Sequence, residues 1–188
     1  MNPENNMDTL LNEEIKRLLS RGLRENCLSR PLAAVAALTA RINRLKKERN
    51  AVVCAHVYQT PDIIYGVGDI VGDSYKLADE SRRTDADVII FCGVHFMGET
   101  ARILNPEKKV YIPSTNAGCS LSESITASDV RDLKARYPGL PVATYINTSA
   151  EVKAESDCIV TSANAEKILT KLYRNNERLI FIPDRFMG

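Results

Sequence analysis

From Ala51 onward the chain alternates in a way that few architectures accommodate. "AVVCAHV", "ADVIIFCG" and "KKVYIP" are short runs of aliphatic, β-branched and aromatic residues, each followed by a polar loop and a helix-like segment. Strands apolar on both faces and separated by helices predict a mostly parallel sheet covered on both sides. A second block, "LPVATYINTS", "SDCIVTSANA" and "RLIFIPD", obeys the same rule. Displaced by 70 positions, the two blocks lay Asp87 on Asp157, Val110 on Ile180, Pro113 on Pro183 and Gly118 on Gly188. The expected fold is therefore α/β: pseudo-repeated, three-layer α/β/α units, with a first domain over 49–138 and an incomplete second one over 139–188. In the first copy the chain runs on through Cys119 and the helix-like "TASDVRDLKARY"; in the second nothing follows Gly188. The chain is expected to be a partial one, or to self-associate through the uncovered sheet.

Ahead of the strands, Leu10, Leu11, Ile15, Leu18 and Leu19 recur at helical spacing, as do Leu32, Val35, Leu38, Ile42 and Leu45. These predict helices over 8–24 and 32–48 and an N-terminal helical extension, 1–48. Their basic residues, as in "RINRLKKER", read as a solvated face. Twenty-five Lys plus Arg against 24 Asp plus Glu leave a net charge of +1, without the basic excess a nucleic acid partner requires. The N-terminus is acidic and polar where a signal peptide would be basic and then apolar, and no run is long enough to cross a bilayer, so no membrane association is expected. Five cysteines without close pairing favour a reducing compartment, and the expected location is cytoplasmic.

In open parallel sheets, ligands collect beyond the carboxyl ends of the strands, where helix N-termini offer free N–H groups. Those ends carry His56, Tyr58 and Gln59; Asp73 and Ser74; Tyr145, Asn147 and Thr148; Thr161, Ser162 and Asn164. Ser74 and Ser162 are expected to cap the helices that follow them. Several polar ends together suggest a pocket for a small, multiply anionic ligand. His56 has two readings, a satisfied core histidine or, with Tyr58 beside it, an anion-binding and acid–base pair. Cys92 and His95 have the spacing to clasp a metal from one helical turn, against the alternative of a packed thiol. Cys54 and Cys158 read as strand residues of the core. Only Cys119, among Asn, Ala, Gly and Ser, has the open surroundings a ligating thiolate needs, and one cysteine does not hold a metal alone.

"AHVYQ", "VGDS", "FCGVHFMGETARILNPEKKVYIP", "AGCS", "YPGLPVATYINTSAEVKAESDCIVTSANA" and "IPDRFMG" together resemble quinolinate synthase, the iron–sulfur enzyme family of de novo NAD biosynthesis. The resemblance runs from about residue 50 to the last residue. It implies condensation of iminoaspartate with dihydroxyacetone phosphate, and a [4Fe–4S] cluster held by one cysteine from each of three similar α/β domains. Cys119 would be the first of those ligands. His56, Ser74, Tyr145, Asn147 and Ser162 would bind substrate oxygens, and Tyr58 would assist proton transfer. Family members continue well beyond "PDRFMG", so this chain is expected to be inactive alone. In addition, "PDIIYGVGDIVGDS" is one residue longer than the family's usual spacing and places Gly66 and Gly68 where a helix normally runs, at about 0.5–1 kcal/mol each in a helix interior. Without the resemblance, the same strand-end groups suit a non-catalytic α/β module for a small dicarboxylate or phosphate.

Overall fold

A computed structural model describes residues 3–183, with side chains from residue 8. Two parallel sheets carry the fold. The first has four strands in the order β2-β1-β3-β4: β1 Ala51–His56, β2 Ile70–Gly72, β3 Val88–Cys92 and β4 Lys109–Tyr111. The second has three, in the order β6-β5-β7: β5 Val142–Tyr145, β6 Cys158–Val160 and β7 Ile180–Ile182. A helix lies between each pair of successive strands, as parallel connections demand. The α/β class read from the alternating runs is the fold observed. The central strands are buried on both faces: Val52, Val53, Cys54 and Ala55 of β1, and Val142, Ala143 and Thr144 of β5.

The chain divides into two compact units, Met1–Gly93 with Ala101–Pro113, and Val94–Thr100 with Ser114–Gly188. In the first, α1 (Pro3–Ser20) and α2 (Leu32–Glu48) form a hairpin through Leu18, Leu23, Val35 and Ala36. Its polar seam is buried: Glu14 accepts from Arg17 and from Thr39 Oγ1 (2.6 Å), and Arg17 also donates to the Gly66 carbonyl at 2.6 Å. That carbonyl accepts a second bond from Asn43 at 3.0 Å. Gly66 is the last residue of the short helix α3 (Pro61–Gly66), and Gly68 lies beyond it in the loop before β2. The two glycines therefore end a helix and do not burden its interior, which removes the penalty expected of them. At Gly66 the residue type is fixed by space, since a Cβ there would stand 2.6 Å from Thr39 Cγ2.

In the second unit, α6 (Ala127–Arg136) opens with a reciprocal capping box. Thr126 Oγ1 accepts from the Asp129 N–H, and the Asp129 carboxylate accepts from the Thr126 N–H. Val130 of α6, Val142 of β5 and Val152 of α7 (Ala150–Ala154) form its core with Ile180 and Ile182 of β7.

The two units repeat, but not in the 70-position register. That shift pairs β3 with β6 and β4 with β7, yet β3 and β4 are neighbours whereas β6 and β7 flank β5 on opposite sides. The hydrogen bonds give the true correspondence. Asp69 takes the Val53 N–H on its carboxylate at 2.8 Å and donates its own N–H to the Val53 carbonyl at 2.9 Å; Asp157 makes both bonds with Val142 at the same distances. Lys46 of α2 meets Asp69 at 2.7 Å, as Lys134 of α6 meets Asp157 at 3.6 Å. Past the strand ends, Val57 donates to Gly72 and Ile146 to Val160. Hence β1, β2 and β3 correspond to β5, β6 and β7, with an offset near 88 positions for the first two. The 70-position echo arose because any two buried strands ending in Ile-Pro look alike; its Gly118–Gly188 match lies outside the described residues.

The aspartate bracket carries a measurable share of stability. Asp157→Ala takes away the side-chain acceptor of the Val142 N–H in a buried strand and is expected to cost about 1–3 kcal/mol, whereas Asp157→Asn keeps an acceptor and loses less. Urea unfolding followed by circular dichroism measures both.

Candidate functional site

At the carboxyl end of β1, His56 is 5% exposed. The strand stops there because the chain turns: the Gln59 N–H donates to the His56 carbonyl at 2.9 Å. The same turn carries the Tyr58 N–H to His56 Nδ1 at 3.3 Å. A backbone N–H only donates, so Nδ1 is the unprotonated nitrogen and Nε2 bears the hydrogen. Burial pushes the imidazole below its ordinary 6.5, against a weaker upward pull from Asp73. His56 is thus a neutral donor through Nε2 near pH 7. The Tyr58 ring sits 4.5 Å from it, tilted by 58°, and is 89% exposed. The imidazole and phenol come side by side, through a turn and not through a continued strand.

Ser74 begins α4 (Ser74–Arg83) across from this turn, two residues after Gly72, the strand partner of His56. The cap is Asp73, whose carboxylate accepts from the Lys76 N–H at 2.8 Å. Ser74 is the first helical residue and half-buried, so its expected capping role falls to its neighbour. A carboxylate is the stronger acceptor for first-turn donors. Ser162 does not cap its helix either, though there no side chain takes the role. Helix α8 (Ala165–Asn176) has Asn164 before it, whose Oδ1 accepts from the Thr161 N–H at 2.7 Å.

In the second unit, Tyr145 ends β5 and its hydroxyl lies 3.1 Å from Ser162 Oγ. Tyr145, Asn147 and Thr148 line a cavity of about 390 Å³ with Leu121, Ser124, Ile125, Ile182 and Pro183. Leu121 and Ser124 belong to the turns after Cys119, whose carbonyl accepts from the Glu123 N–H at 3.1 Å and from Ser122 Oγ at 2.8 Å. Cys119 itself lies in irregular chain, as expected, but is half-buried rather than open. Cys54 and Cys92 are buried in β1 and β3, and burial pushes both thiols up, Cys54 to about 12. His95 is exposed and stands 3.5 Å from Glu99. Among the described residues no three His, Cys, Asp or Glu are grouped to hold a metal ion, so the Cys92–His95 pair has no further ligands there.

The repeat explains which residues face the strand ends. His56 and Tyr145 take the same place as last residues of β1 and β5, Tyr58 and Asn147 the same place two residues on, and Ser74 and Ser162 the same place two residues after β2 and β6.

Sequence reasoning missed Lys153 and Glu99. Lys153 lies on α7, donates to the Thr148 carbonyl, and stands 5.3 Å from the centre of the Phe96 ring. Burial lowers it from the ordinary 10.5 to about 8, although Glu99 pulls the other way. Glu99 accepts the Ala150 N–H at 2.8 Å. A lone lysine in "SAEVKAES" carries no periodic signal and reads as a solvated charge.

Two parallel sheets with an imidazole, phenols, hydroxyls and an amide at their carboxyl ends define an α/β protein whose polar groups gather where open sheets take ligands. The sequence profile described as "Quinolinate synthetase A protein" matches residues 40–188. The quinolinate synthase of Sinorhizobium medicae is 58% identical over 156 residues, which cover 83% of this chain and 43% of that relative. The quinolinate synthase of Caulobacter vibrioides is 54% identical over 155 residues, covering 81% and 42%, and that of Xylella fastidiosa is 55% identical over 147 residues, covering 78% and 43%. The chain belongs to the quinolinate synthetase A family. It spans less than half the length of these curated relatives. Among the described residues no helix is long and apolar enough to cross a membrane.

Two titrations test the electrostatics. His56 should titrate below 6.5 by NMR; between its folded and unfolded values the unfolded chain binds more protons, so stability falls as pH drops through that window. Lys153 should titrate near 8 by ¹³C NMR of the ε-carbon, and its contribution to stability rises as pH climbs from about 8 to 10.5.

Proposed function

We propose that this chain carries the amino-terminal part of the catalytic machinery of a quinolinate synthase, which condenses iminoaspartate with dihydroxyacetone phosphate to quinolinate in the cytoplasm. What carries the proposal is the repeat itself: equivalent strand ends in both units present polar groups suited to oxygen-rich substrates. His56 donates from Nε2 to a substrate carboxylate or phosphate oxygen. Tyr58, open to solvent beside the imidazole, moves a proton to or from the reacting substrate. Ser74 supplies a hydroxyl at the first turn of α4. Tyr145 and Ser162, already within 3.1 Å of each other, and Asn147 bind oxygens in the second unit. The division into 1–48, 49–138 and 139–188 is proposed as the repeat boundary, because residues 49 and 139 fall just before the equivalent strands β1 and β5.

A [4Fe–4S] cluster belongs to the proposed whole protein. The described residues fit one attachment point: Cys119 is half-buried in a loop, and no cluster of ligands surrounds it. By themselves they do not fit a complete cluster, and the other thiolates are proposed to come from the length of the relatives that this chain does not span. When bound, such a cluster with an open iron supplies a Lewis acid. Self-association through the half-buried edge strand β7 is a further proposed property.

A chimera in which this chain replaces the matched segment of the Sinorhizobium medicae relative tests the proposal. Under anaerobic conditions it should form quinolinate, detected by its pyridine absorbance. His56→Ala and Tyr145→Phe should each lower kcat/KM by about tenfold or more, a loss of roughly 1.4 kcal/mol of transition-state stabilisation, and Cys119→Ala should abolish the visible cluster absorbance. A folded, cluster-bearing chimera that makes no quinolinate would overturn it.

A further inference from the structure

The half-buried ammonium of Lys153 stands outside the groups just assigned, and it meets the loop after β5 on one side and helix α5 (His95–Leu104) on the other. It donates to the Thr148 carbonyl, immediately after Asn147. Thr148 Oγ1 in turn donates to the Tyr145 carbonyl at 3.1 Å, and the Thr148 N–H to the Ile146 carbonyl at 2.8 Å. Glu99, whose charge acts on the ammonium, accepts the Ala150 N–H at 2.8 Å. Phe96 lies against the ammonium from the same helix as Glu99, α5 (His95–Leu104), and His95 approaches the outer side of Glu99. The turn from β5 to α7 is thus tied at two backbone points by oppositely charged side chains.

A charge in this position is not a space filler. Withdrawing an ammonium from water is costly, and an apolar side chain of similar length fills the same volume without that cost. What the ammonium adds is direction: a charge-assisted bond to one carbonyl of a segment whose other groups, Tyr145 and Asn147, line the cavity of about 390 Å³. We propose that Lys153, acting with Glu99, is a positioning residue that fixes the 145–148 loop so that the Tyr145 phenol and the Asn147 amide face one ligand. The inference rests on the proposed binding role of that loop, and it assigns to Lys153 no contact with substrate.

The 188-residue chain itself serves for the test, with quinolinate as probe. In Lys153→Met, amide hydrogen exchange at Thr148 and Ala150 should quicken at least tenfold while that of Val142, Ala143 and Thr144 in β5 stays unchanged. Quinolinate affinity by NMR titration should fall by a comparable factor. Lys153→Arg, which keeps the charge, should recover part of both. Loop exchange unchanged in Lys153→Met overturns the inference, as does acceleration spread evenly through β5, the mark of a merely structural residue. If Lys153→Met does not fold, Glu99→Gln is read by the same criteria. Tyr145→Phe separates the two layers: if it leaves quinolinate affinity intact, the binding role of the loop fails, and the exchange data still decide what Lys153 does.

Discussion

A parallel sheet covered on both faces leaves polar chemistry one place to go. Cys54, Ala55, Ala143 and Thr144 are sealed in the centre of their sheets, so hydroxyls, imidazoles and amides meant for a ligand are confined to the turns where strands end. Each candidate residue on the strands and their turns, from His56 to Ser162, obeys that confinement. The exception is Cys119, which reaches its position by a long irregular segment after β4. That freedom suits the cluster anchor proposed for it.

The aspartate bracket makes two such sheets alike. A carboxylate before the second strand of each unit holds the backbone of the central strand, with a lysine from the preceding helix beside it. This fixes the relation of the first two strands and therefore of the two turns that follow them. The turns then differ in what they display, imidazole against phenol and phenol against amide with serine retained in both, and in where the next helix starts, at Ser74 in one unit and at Ala165 in the other. One frame thus supports different chemistry at matched points.

Much of this was legible in the sequence because burial on both faces leaves uninterrupted runs of Val, Ile, Phe and Ala, and because polar residues stop those runs abruptly. Six of the seven strands, the two N-terminal helices and the buried state of Cys54 follow from such local patterns, whereas the short strand β2 lies in a Gly-rich stretch that reads as a turn and Cys119 is half-buried rather than open. The repeat register did not. Apolar strands match one another in many alignments, and the discriminating contacts at Asp69 and Asp157 are carboxylate-to-backbone bonds that leave no periodic trace. Capping by Asp73 in place of Ser74 turns on a one-residue difference in where a helix begins. Lys153 was invisible for a different reason, since its burial depends on Phe96 and Glu99 some fifty positions away.

The attachment of the N-terminal hairpin is written largely in main-chain chemistry. Arg17 and Asn43 grip the carbonyl oxygen of Gly66, an atom every residue possesses, while the space beside Thr39 admits only the smallest side chain. Such a joint lets the helices drift in composition as long as one guanidinium and one amide survive. It also concentrates intolerance at a single α-carbon, where even one methyl group would force the Thr39 side chain, pinned by its bond to Glu14, out of its place.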